Sequence, residues 1–179
     1  MRIQAKPINA YPWFIRLFFW KQRLTYGKVL DPGLLWGRSP PVFAAVALLY
    51  GALNRNGSPL DKVLRSLVTV RVSQINHCPF CVDINTKTLI DRGASMDKVE
   101  ALDNWRESLL FDEIERIALE YAEAVTYSDR EVDDALFARV RQCFGDDGAV
   151  ELSALIAFQN LSSKFNCALD VPPQGFCKI

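Results

Sequence analysis

The 179-residue chain is 50% apolar and formally uncharged, with Lys+Arg and Asp+Glu at 21 each. That length and apolar content suit one compact domain with a sizeable core, and the absence of a net field argues against a strongly polyanionic partner, whether nucleic acid or an anionic membrane. Met1 to Ala10 lacks the apolar core of a secretory signal, and the longest uncharged apolar run, Val42 to Leu53, falls short of the roughly 20 residues that a bilayer demands, so a cytoplasmic protein is expected.

In chain order, residues 1–56 come first and are unusually aromatic. Ten of the 20 aromatic residues lie in the first 50, among them Tyr11, Trp13, Phe18, Trp20, Trp36 and Phe43. Each large ring gains about 1.5–3 kcal/mol on burial, so this arm is expected to dock, either on its own core or on a neighbouring subunit. A membrane-surface helix over Tyr11–Leu24 is a weaker reading, because Arg16, Lys21 and Arg23 do not build a strongly cationic face. A Gly57-Ser58-Pro59 turn then separates the arm from residues 57–179, which are expected to form the core of a single all-α domain.

Beyond the turn, apolar residues recur at spacings of three and four: Val63, Leu64, Leu67 and Val68; then Ile114, Ile117, Ala118 and Tyr121; then Leu152, Leu155 and Ile156. Asp61 to Ile75 reads as the first core helix. Ser95, the Asp112–Glu115 pair and the Ser128–Glu131 pair read as helix starts, and Gly93 and Gly145 as stops. No period-two run signals a strand.

Between the first two core helices lies Cys78-Pro79-Phe80-Cys81. Proline suits the first helical position, which makes Cys78 the cap and puts Cys81 in the first turn, where free N–H groups and the helix dipole favour a thiolate. Both thiols are therefore expected to be more acidic than a free cysteine, and their spacing lets them close into a disulfide. Five cysteines is an odd number for a disulfide framework. Cys143 and Cys167 read as core residues, and Cys177 as exposed. Zinc would need four ligands, and one cysteine pair with the single histidine, His77, does not supply them, so no metal and no cofactor are expected. A polar stripe of Ser66, Thr69 and Ser73 on one helix and another of Cys78, Cys81, Asn85 and Thr88 on the next are spaced to face one another around a small pocket, unless one of them faces solvent.

The stretch Leu67 to Lys87, which spans Arg71, Asn76, Cys78, Cys81 and Asn85, resembles the core motif of the alkyl hydroperoxidase D-like, or carboxymuconolactone decarboxylase, superfamily. Gly93, the helix around Ile117–Val125 and the ending Lys164–Asp170 are similar to that family's layout. The resemblance implies an alkyl hydroperoxidase D-like helical bundle assembled as a homotrimer or hexamer. It also implies peroxidase or disulfide-reductase activity, with Cys81 attacking the peroxide and Cys78 as partner thiol and proton donor. The implied partners are a hydroperoxide or disulfide substrate and a lipoylated or thioredoxin-like reductant. The chain departs from the pattern at two positions: Ser66 stands where active members usually carry Glu, and Asn85 where they carry His. Neither titrates near neutral pH, which leaves helix-terminus activation and His77 beside Cys78 as the only imidazole, and implies low peroxidase turnover. Two other readings compete with thiol redox chemistry. One is a lyase of the decarboxylase kind, with Arg71 holding a carboxylate but no convincing proton donor; the other is a non-catalytic protein that keeps the fold for ligand binding or assembly.

Overall fold

The computed structural model describes residues 1–177, and among the described residues no strand occurs. The helices are α1 (Trp13–Tyr26), α2 (Asp31–Trp36), α3 (Pro40–Leu53), α4 (Lys62–Ile75), α5 (Pro79–Asp91), α6 (Met96–Glu100), α7 (Glu113–Thr126) and α8 (Asp134–Ala168), with single 3-10 turns at Ile8–Ala10 and Ala101–Asn104. The all-α expectation holds.

Side chains explain where the helices begin. Asp61 accepts from the Val63 and Leu64 N–H groups at α4, Ser95 from Lys98 N–H at α6, and Asp112 forms a reciprocal capping box with Glu115 at α7. At α8 the start differs from the sequence reading. Ser128 and Glu131 lie outside the helix, and Asp133 is the cap, accepting from Leu136 N–H at 2.7 Å. The reason is burial: residues 128–135 are all exposed, and Leu136 is the first residue of α8 with a core contact to make. Gly93 follows α5 with φ 110, as a stop should. Gly145, with φ 68 and ψ 178, stops the first helical stretch of α8 as well, and a second stretch begins directly beyond it.

The core is organised around α4. Its Leu64, Val68 and Val72 pack with Ile117 and Tyr121 of α7 and Leu152 and Ile156 of α8, while Leu67 and Val70 pack on the other side with Leu89 of α5 and Leu119 of α7. These two faces leave a third, the Ser66–Thr69–Ser73 stripe, to meet α5. Each of the latter two hydroxyls satisfies itself on the preceding turn, Thr69 donating to Ser66 O and Ser73 to Thr69 O.

The aromatic arm divides its residues between two environments. Tyr11, Ile15 and Phe19 bury against Phe43 of α3, and Trp36 stacks flat on Phe165 of α8 with ring centroids 3.4 Å apart. Trp13, Leu17, Trp20 and Leu24 form a stripe on the other side of α1 and are exposed, Trp13 by 74%. Among the described residues no helix is long and apolar enough to cross a membrane.

Candidate active site

Cys78 caps α5 with Pro79 at its first position, and the Cys78 Sγ accepts from the Cys81 N–H at 3.3 Å. A cap geometry thus brings the two sulfurs together on one turn. All five cysteines are free thiols; Cys78 and Cys81 are buried, at 1% and 2% exposure.

Behind Cys81 stands the far half of α8. Gln159, Ser163 and Asn166 follow at spacings of four and three, so they share one face, and all three are buried. Asn166 Nδ2 donates to Cys81 Sγ at 3.2 Å, and Gln159 Nε2 donates to Ser163 Oγ and Ser73 Oγ, each at 3.0 Å. Asn85 Nδ2 also donates to Ser73 Oγ at 3.0 Å. The α4 and α5 polar stripes therefore meet, with α8 closing the third side.

The two thiols are driven apart in acidity. The Cys81 thiol falls from an ordinary 9.0 to about 7, first because Cys78 donates its proton toward it; burial opposes this, and Asn166, Ser163 and Gln159 add further donors. Cys78 is pushed upward because its S–H is held by Cys81, then by burial and by the charge on Cys81. The expectation of two acidified thiols is thus corrected: one helix terminus serves one thiolate, and the neighbouring thiol becomes its donor.

Cys81 lines a cavity of about 470 Å³, within the range of roughly 300–1,000 Å³ usual for small-molecule sites. Asn85 and Ser66 line it too, whereas Cys78, Ser73 and His77 do not. Ser66 Oγ accepts from Arg92 Nη1 at 2.9 Å. His77 is exposed in a left-handed turn, φ 50, and its carbonyl faces the Cys167 thiol. Cys143, expected in the core, is exposed: the buried stripe there runs through Leu136, Val140 and Phe144, and Cys143 sits at its edge. Cys167 and Cys177 are half-buried. Arg71, the carboxylate holder of the lyase reading, is not in the cavity; its Nε and Nη2 donate to the buried Glu123, at 2.9 and 2.7 Å.

Sequence reasoning missed Gln159, Ser163 and Asn166. Their signal was present, a polar i, i+4, i+7 series in a helix that otherwise packs through Leu152, Leu155 and Ile156. What it lacked was any indication that the series opposes a cysteine 85 residues away. Arg65 and Arg92, which also line the cavity, were missed for the same reason.

Known proteins share the sequence pattern and the fold. A 46% identical relative, uncharacterized protein YnjA of Escherichia coli (strain K12), aligns over 97% of this chain and 95% of its own. Uncharacterized protein YdfG of Bacillus subtilis (strain 168) is 30% identical over 63% of this chain and 77% of its own. Among solved structures, an alkylhydroperoxidase AhpD core, described as an uncharacterized peroxidase-related protein from Ralstonia eutropha JMP134, superposes with a TM-score of 0.86 over 99% of this chain and 97% of that one at 23% identity. The debrominase Bmp8 in its apo form superposes with a TM-score of 0.80 at 20% identity, over 92% and 88% of the two chains. The family model described as carboxymuconolactone decarboxylase matches residues 40–124, the segment that holds α4, the cysteine pair and most of α7. With that match, the AhpD-like helical fold and the helix-capping cysteine pair, this chain belongs to the carboxymuconolactone decarboxylase family.

Proposed function

We propose that the protein is a thiol peroxidase that reduces an organic hydroperoxide, with Cys81 as the attacking thiolate and Cys78 as the resolving thiol. The observation that carries this reading is the position of Cys81: an acidified thiol on the cavity wall, with Cys78 behind it and outside the cavity. The thiolate attacks the distal peroxide oxygen and the O–O bond breaks, leaving a sulfenic acid on Cys81 and an alkoxide. The alkoxide takes the Cys78 proton and leaves as the alcohol. The Cys78 thiolate then attacks the Cys81 sulfur, the disulfide forms, and hydroxide leaves and is protonated to water. An external dithiol returns two electrons and two protons to complete the cycle.

The chemistry does not need a titrating relay. With Cys81 lowered to about 7, a substantial fraction of it is thiolate at neutral pH, and that fraction attacks without Ser66 or Asn85 removing a proton. The names of two solved AhpD-like neighbours as peroxidase-related agree with this reading. Two thiols are expected to disappear when the reduced protein meets one equivalent of cumene hydroperoxide, counted with a thiol-specific dye. Undiminished thiol content under excess peroxide would overturn the proposal.

A further inference from the structure

The cavity that reaches Cys81 carries a charge asymmetry that the thiol chemistry does not use. Three cationic side chains line it, Lys21 of α1, Arg65 of α4 and Arg92 just past α5, and none of the described residues lining it is acidic. In a chain with no net charge, this is a local field of one sign. The two guanidiniums converge on the C-terminal end of α3. Arg65 Nη1 donates to Leu53 O at 2.6 Å; Arg92 Nη2 donates to Asn54 Oδ1 at 3.1 Å, and its Nη1 to Ser66 Oγ and Lys62 O.

These acceptors are all neutral, so they position the two groups without a carboxylate to balance them. The carboxylates nearby are committed elsewhere: Asp61 caps α4, Asp91 pairs with Lys87, and Glu151 pairs with Arg55. Arg65 is only 6% exposed, and its Nε has no hydrogen-bond partner. Burial, and then the neighbouring Arg92, lower its basicity, and the more weakly acting Glu151 and Asp61 do not restore it. A buried guanidinium whose hydrogen-bond acceptors are all neutral is costly, and an anion entering the cavity beside it relieves that cost.

The cavity also has a direction. Cys81, Asn85, Thr88 and Arg92 succeed one another on one face of α5 and all line it, which puts about 16 Å between the Cα positions of its two ends. Among the lining residues Lys21, Thr25, Tyr50 and Gly51 are exposed and mark the mouth; Tyr50 and Arg92 both act on the Tyr26 hydroxyl, which sets Arg92 on that side, whereas Cys81 is buried. Between them the wall is apolar, with Phe18, Trp36, Phe43, Ile84 and Leu155 among its side chains.

We propose that this cavity binds an amphipathic carboxylate, its head group held by Arg65 and Arg92 and its apolar chain directed at Cys81. Resting on the thiol peroxidase reading, it names the substrate class: an apolar hydroperoxide that carries a carboxylate, such as a hydroperoxy fatty acid, which delivers its peroxide to Cys81 for the reaction written above.

Calorimetric titration of the reduced protein with octanoate and with octan-1-ol tests the head-group site directly. Octanoate is expected to bind about tenfold or more tightly than the alcohol, the effect of charge-assisted hydrogen bonds to two guanidiniums. Ser66→Glu brings a carboxylate against Arg92 and is expected to erase that preference, and Arg92→Gln to weaken octanoate by about tenfold while leaving octan-1-ol unchanged. Equal binding of the two probes to the unmodified protein overturns the proposal, and that comparison does not depend on any variant folding. The Cys78→Ser/Cys81→Ser variant is expected to keep the preference, so an intact preference alongside undiminished thiols in the peroxide test counts against the peroxidase reading alone.

Discussion

Cys78 and Cys81 share one helical turn yet sit at opposite ends of the thiol scale, because a single proton between two buried sulfurs can stabilise only one charge. Alkylation of Cys81 by iodoacetamide is therefore expected to rise with pH through a midpoint near the value of about 7, falling away below it as the thiolate is protonated. Asn166→Ala removes the amide donor 3.2 Å from the sulfur and is expected to move the midpoint up by about one unit. The Asn166 Oδ1 is buried without a partner, so that substitution breaks no other hydrogen bond there. The cysteine pair was legible from spacing alone, since Pro79 fixes which thiol caps and which lies in the first turn. Its donors were not, because α8 comes to Cys81 through tertiary packing that no local spacing encodes.

At the scale of elements, α8 shows how little separates a helix stop from a break. Gly145 adopts φ 68 and ψ 178, a conformation that only glycine occupies without strain, and the helix picks up again on the other side. A Cβ at Gly145 would meet nothing within 4 Å, so the cost of Gly145→Ala is backbone strain alone, expected at about 1–3 kcal/mol by urea denaturation. The far half of α8, which carries Gln159, Ser163 and Asn166, is aimed by this break. Sequence reading took Gly145 as a stop and the stripe through Leu152, Leu155 and Ile156 as a separate helical stretch, and the non-helical backbone at Gly145 bears that out. The α8 start was misplaced because Ser128 and Asp133 both offer a capping oxygen, and only the burial of Leu136 decides between them.

For the whole molecule, an ionic hub whose residues do not line the cavity ties separate elements together. Glu123 of α7, 1% exposed, accepts from Arg71 of α4, Trp105, Arg106 and Arg130. Burial alone would raise its pKa, but hydrogen bonds from Arg106, Trp105 and Arg71 outweigh it and hold the carboxyl at about 2 against an ordinary 4.5. The folded-state value is depressed, so the stabilisation is fully present above about pH 4.5 and is lost as pH falls toward 2. It amounts to about 3 kcal/mol at most. Glu123→Gln is expected to lower neutral-pH stability by a comparable amount and to flatten the acid limb of the stability profile between those values, measured by chemical denaturation across pH. The same packing that engages Arg71 leaves Arg65 and Arg92 as cations of the cavity, and the arm supplies much of its apolar wall. The arm's aromatic content announced burial; where that burial would be, over a cavity leading to Cys81, came only from the fold.

In the proposed cycle, Cys81 is the sulfur that meets peroxide. Trapping with dimedone and peptide mass spectrometry tests it most directly, on the Cys78→Ser and Cys81→Ser variants mixed with cumene hydroperoxide. A sulfenic-acid adduct is expected on Cys81 in the first and no adduct on Cys78 in the second; an adduct on Cys78, or none on Cys81, would overturn the assignment.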